Sequence, residues 1–204
     1  MTSVDYSRIE YPKVRSFIVH YNLVDNIGFE NLKSKCFKSD EAGFRHHIKH
    51  FQFDAPLEKV WRTYKFISPQ KLWRGNMIRF GVQYARKTEL VTYADDSHHS
   101  GIEAGQILIL NLRLINGLFH LAVGHEIKEV NDKDHLIRIC YLESGASHGS
   151  QFIRLSSTHN GSTVVTHETY YKSNSWFRDI LLYPYLHTKA ITEFHNSVKQ
   201  NLLD

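Results

Sequence analysis

The sequence predicts an α+β fold in which a curved antiparallel β-sheet wraps around a long C-terminal α-helix. Three observations carry this. Residues 175–204 read as one long amphipathic helix. The stretch before it, from about residue 77, switches to a two-residue period broken by tight-turn signals. A sheet of that kind must bury one face, and only the C-terminal helix is long enough to cover it.

In the helix, Asn174 or Ser175 can cap the start. Ile180, His187, Ile191, Phe194, Val198 and Leu202 fall near helical spacing on one face, with Lys189, Glu193, Lys199 and Gln200 on the wet side. Pro184 lacks an N–H and clashes with the turn before it. The expectation is a short lead-in helix over 175–183, a kink, then a helix over 184–203, about 30 Å long. Trp176, Phe177, Tyr183 and Tyr185 are expected to pack in the core, and Arg178 and Asp179 to form an ion pair.

Residues 1–45 read as an extension that packs on the domain or lids a pocket, with a short strand at 16–21 and a short helix or irregular segment at 27–37. The domain itself is expected over 46–204. Its first strand ends at Asp54-Ala55-Pro56, and Pro56 suits the first turn of a helix carrying Val60, Trp61, Tyr64 and Ile67. A second short helix is expected over 69–73. Strands follow at 77–85, 106–114, 118–130, 135–142, 150–157 and 162–172, and 87–105 reads as a polar loop. Asn116-Gly117, 131–134 and His159-Asn160-Gly161 supply turns, so neighbouring strands pair antiparallel.

Composition narrows the function. The 204 residues fit one domain with an extension, and 42% hydrophobic content can build a core. Mean hydropathy of -0.39 and no apolar run of about 18 residues argue against integral membrane association. The N-terminal stretch has no apolar signal-peptide core. The net charge of +4 is scattered, which gives no reason to expect nucleic acid. Cys36 and Cys140 lie far apart and suggest neither a disulfide framework nor a zinc motif, so a cytoplasmic location is expected.

The element order from His46 onward resembles the helix-grip fold of the START / Bet v 1 / polyketide-cyclase (SRPBCC) superfamily. Asp54–Trp61, reading D-A-P-L-E-K-V-W, is similar to the superfamily's strand-to-helix opening. G-H-E-I at 124–127 and Y-L-E-S-G at 141–145 resemble uncharacterised bacterial members of the group. The resemblance covers about three quarters of the chain. It implies a deep cavity between sheet and helix that binds lipids, sterols, polyketides or other apolar molecules, with proton-transfer chemistry in some members.

Polar residues on otherwise apolar faces are the candidates for lining such a cavity. His125 shares a face with Leu121, Val123 and Ile127; Glu143 with Ile137, Ile139 and Tyr141; Gln151 with Ile153 and Leu155; His167 with Val165 and Tyr171. His187 sits on the helix stripe. His125, Glu143, Gln151, His167, Tyr171 and His187 are thus the expected ligand-binding set, with His and Glu as possible acid–base partners. A one-residue register slip would bring in Glu126 and Glu168 instead. The plainer reading is that a lone strand histidine is a hydrogen-bonded core or edge residue. Fourteen histidines raise the question of metal, but His46-His47 and His98-His99 point to opposite sides of a strand, and no metal or other cofactor is expected.

Three function classes follow: a binding module for an apolar small molecule or lipid, an enzyme of the cyclase, dehydratase or hydrolase kind, and an interaction protein with a filled core. Binding is preferred, because it needs only the cavity.

Overall fold

Alternation along the strands decides which side chains face the helix. The computed structural model describes residues 3–97, 99, 101–143 and 145–202. Two helices, α1 (Pro12–His20) and α2 (Asn26–Asn31), lead to a two-residue strand β1 (Ser34–Lys35). Then come β2 (Arg45–Phe53), α3 (Leu57–Phe66) and α4 (Pro69–Leu72). The meander is β3 (Ile78–Ala85), β4 (Leu90–Tyr93), β5 (Gln106–Leu114), β6 (Phe119–Asn131), β7 (Leu136–Leu142), β8 (Ser147–Ser157) and β9 (Thr163–Ser173). The long helix α5 (Tyr183–Gln200) closes the fold. The strands form one curved sheet in the order β2-β9-β8-β7-β6-β5-β3-β4, with β1 alongside β7. The pairs are antiparallel.

The sheet is covered on both faces. On the inner face, Phe53, Leu110, Ile137, Ile153 and Val165 pack with Val60 and Tyr64 of α3 and Phe194 and Val198 of α5. On the outer face, Val14, Ile18, Leu23 and Phe29 pack on Val82, Tyr84, Ile107 and Ile109. Seven N-terminal side chains between Val4 and Leu32 are buried there. At about 1.5–3 kcal/mol each before chain entropy is counted, they make this segment part of the fold's stability. Gly81 sits at the β3 bulge, where a Cβ would lie 2.5 Å from the Ile109 carbonyl oxygen and 2.9 Å from Val14 Cγ2, so only glycine lets α1 seat this closely.

Several expectations are corrected. Residues 16–20 are helical, with Tyr21 as the cap: Pro12 opens α1, and Val14 and Ile18, one turn apart, both face the sheet. The loop at 87–105 contains the edge strand β4, paired with β3 alone. Pro184 does not divide the C-terminal helix. A π-helical turn over Arg178–Leu182 precedes it, with the Tyr183 N–H reaching back to the Arg178 carbonyl, and this wider turn absorbs the proline. The expected helix end at Leu203 lies outside the described residues. Trp176, Phe177 and Tyr185 are exposed rather than core. Asp179 accepts from the Ser173 N–H (2.8 Å) and hydroxyl, while Arg178 donates to Ser173 Oγ (3.1 Å) and the Ala146 carbonyl, so each anchors the turn separately.

The cysteines are also corrected. Cys36 and Cys140 form a disulfide across 104 residues of sequence. Pairing of Ser34 and Lys35 with Leu142 and Tyr141 brings the next residue, Cys36, beside the end of β7. Sequence separation is no guide where a sheet does the aligning. Among the described residues no helix is long and apolar enough to cross a membrane.

Candidate functional site

Between the inner sheet face and α5 lies a cavity of about 420 Å³. Leu108, Leu112, Val123 and Ile139 wall it from the sheet, and Leu186 and Phe194 from the helix. Ala146 and Ala190 also line it, and their small side chains leave room. Two exposed apolar segments border it. One is the β5–β6 hairpin with Leu118, Phe119 and Leu121; the other is the start of the long helix with Trp176, Phe177, Leu181 and Leu182. Leu121 and Leu182 belong to both the exposed surface and the cavity wall.

A connected polar network runs along one wall. Gln151 on β8 is its centre. Its Oε1 faces His167 Nε2 at 2.9 Å and His187 Nε2 at 3.4 Å, and its amide nitrogen donates to the Tyr141 hydroxyl oxygen at 3.3 Å. A carbonyl oxygen only accepts, so both imidazoles carry their proton on Nε2. Each neutral ring then accepts at Nδ1. His167 Nδ1 takes the His195 Nε2–H (2.9 Å), and His195 Nδ1 takes the Tyr64 hydroxyl (2.5 Å). His187 Nδ1 takes the His47 Nδ1–H (3.3 Å), and His47 Nε2 takes the Thr188 hydroxyl (3.0 Å). Tyr141 and Tyr183 share a hydroxyl–hydroxyl hydrogen bond. His47, His167, His187 and His195 are each satisfied as a neutral ring in one tautomer.

Burial enforces the same state. His125 is pulled down to about 4 and His195 to about 3, both chiefly by burial. His167 and His187 are held well below the usual histidine value, first by burial and then by neighbouring imidazoles. Burial likewise raises the Tyr64, Tyr141 and Tyr183 hydroxyls, keeping them protonated.

Of the six residues expected at the site, His125, Gln151, His167 and His187 line the cavity. Tyr171 is buried on the same face, but its ring stacks on Tyr183 at 3.6 Å and its hydroxyl donates to the Asp179 carbonyl, so it supports the wall from behind. Glu143 lies one residue beyond β7, exposed, its N–H on the Lys33 carbonyl. The parity of the strand was sound, but the strand ends first. Glu126 and Glu168 face outward: Glu126 meets Lys128, Arg86 and Ser34, and Glu168 meets Arg154, His46 and Tyr170. Among the described residues no three His, Cys, Asp or Glu side chains are grouped to hold a metal ion. His98 lies outside the described residues.

No protein-family model matches the sequence, and no curated protein matches it. Solved structures do match the fold. Norcoclaurine synthase from Thalictrum flavum, solved with dopamine and hydroxybenzaldehyde, superposes with a TM-score of 0.55 at 14% identity, over 82% of this chain and 95% of that one. Major latex-like protein 151 from Panax ginseng gives 0.55 at 9% identity, over 79% and 99%. Ara h 8.0201 gives 0.52 at 10% identity, over 78% and 98%. This chain has the Bet v 1-type helix-grip fold.

The sequence reading of this helix-grip chain missed four participants: Tyr64, His195, Tyr183 and His47. One signal was present. His195 lies four residues after Ile191 and eight after His187, on the same helical stripe. Tyr64 and Tyr183 were read as apolar bulk, because a sequence does not show where a hydroxyl finds its partner.

Proposed function

We propose that this chain binds an apolar small molecule or lipid in the cavity between sheet and α5. The observation that carries the reading is the cavity itself: about 420 Å³, mostly apolar walls, and a few polar groups gathered on one side. Ligand sites for drug-sized molecules have this make-up. The exposed apolar segments beside it give a water-insoluble molecule a route in. Fold alone does not decide function. The two small aromatic molecules in the norcoclaurine synthase structure are that protein's, and they support a small-molecule reading here by analogy.

An acid–base enzyme is favoured less, because Glu143 is outside and no carboxylate lines the cavity among the described residues. The filled-core reading is favoured less because of the space. Compartment is part of the proposal: a buried Cys140 bonded to Cys36 suits an oxidising setting better than the cytoplasm expected from cysteine spacing.

The test is titration with 1-aminoanthracene, a fluorophore of suitable size. Saturable one-to-one binding is expected, with loss of more than about tenfold in affinity in Ala190→Trp, whose indole would occupy the cavity. No saturable signal, or an unchanged one in a folded Ala190→Trp protein, would contradict the reading.

A further inference from the structure

We propose that the bound molecule carries a neutral carbonyl oxygen, held at the polar side of the cavity between the His125 ring N–H and a hydroxyl hydrogen of the Tyr141–Tyr183 pair. This rests on the binding reading above and names the ligand's chemical class.

Tyr141 oxygen accepts from Gln151, and Tyr141 and Tyr183 use one hydroxyl hydrogen between them. Two hydroxyls have two hydrogens. Whichever tyrosine donates, the other's hydrogen has no acceptor among the described residues, and both side chains line the cavity. His125 supplies the second donor. It is 8% exposed, and its Nδ1 is enclosed with no hydrogen-bond partner. An enclosed bare lone pair is tolerated better than an enclosed orphan N–H. The ring proton therefore belongs on Nε2, the nitrogen left for the cavity. His125 and Tyr141 rings are 4.9 Å apart between centroids, so the two donors can converge on one oxygen.

The other imidazoles have no hydrogen to give. The N–H groups of His167 and His187 end on Gln151, and those of His195 and His47 on their neighbours. The polar side thus offers only donors, the second amide hydrogen of Gln151 beside the two named above, which suits an acceptor-only group. A carboxylate would bring an ionic charge into an apolar cavity whose one lining cation among the described residues, Arg178, already binds Ser173 and the Ala146 carbonyl. A hydroxyl would bring a further hydrogen to a cluster that already has hydrogens to spare. A carbonyl oxygen accepts both donors and carries no hydrogen of its own.

The test uses a matched pair, 2-acetylphenanthrene and 2-ethylphenanthrene, each displacing 1-aminoanthracene. The ketone is expected to bind about tenfold or more tighter, the worth of two neutral hydrogen bonds. His125→Leu and the double variant Tyr141→Phe/Tyr183→Phe should each shrink that ketone-to-hydrocarbon preference several-fold. The infrared carbonyl stretch of the bound ketone gives a readout in the unaltered protein: it should lie below its value in hydrocarbon solvent, as expected for an oxygen taking two donors. Equal displacement by ketone and hydrocarbon, or an unshifted stretch, overturns the carbonyl assignment and leaves cavity binding standing. Failure of the fluorophore itself to bind overturns both.

Discussion

Lowering the pH from 7.0 to 5.5 is expected to destabilise the fold by about 5 kcal/mol, well before the carboxylates titrate. His125, His167, His187 and His195 are held neutral in the folded state, His125 to about 4 and His195 to about 3, with the other two well below the usual value. In the unfolded chain each titrates near pH 6.5. The sign follows directly. Below about pH 6.5 the unfolded state takes up protons that the folded state refuses, so stability is fully present above that pH and falls as pH drops toward the folded values. Each such histidine contributes a slope approaching about 1.4 kcal/mol per pH unit. The hydrogen-bond directions point the same way: a second proton on His167 would set two N–H groups face to face with His195. Urea unfolding at the two pH values measures the effect, and the double variant Tyr64→Phe/His195→Leu should lower the slope by about a quarter. A flat profile between pH 7.0 and 5.5 would mean that these imidazoles are solvated or charged in the fold.

Breaking the Cys36–Cys140 bond is expected to cost about 4–5 kcal/mol, since it closes a loop of 104 residues and long loops lose the most unfolded-chain entropy when cross-linked. That is a large share of a typical domain's stability. Comparing urea midpoints of the native chain with the Cys36→Ser/Cys140→Ala variant tests this. Two titratable thiols in the purified unfolded chain, or equal midpoints, would contradict it. Residues N-terminal to Cys36 keep their seat on the outer face in either case, because their apolar side chains hold them there.

What the sequence made legible was whatever repeats. The period of two in 135–142, 150–157 and 162–172 put Gln151 and His167 on the inner face, where they are found. The one-sided pattern of 187–202 located the helix that covers them. What it hid was whatever depends on partners far along the chain. Ile107-Leu108-Ile109-Leu110 is unbroken apolar sequence because β5 is buried on both faces, Ile107 and Ile109 outside and Leu108 and Leu110 inside. Read that way, the run would have announced the N-terminal cover. Glu143 failed for a different reason: alternation gives a face but not where the strand stops. Cys36 became informative only once β1 was set against β7.

The central claim is that the space under α5 is a ligand site, and native mass spectrometry tests it most directly. The purified chain would be incubated with an organic-soluble cell extract, exchanged into volatile buffer and weighed beside Ala190→Trp treated the same way. The account predicts a one-to-one adduct on the order of a few hundred daltons on the native chain and none on the variant. A bare mass for the native chain after that exposure, or the same adduct on both proteins, would contradict it.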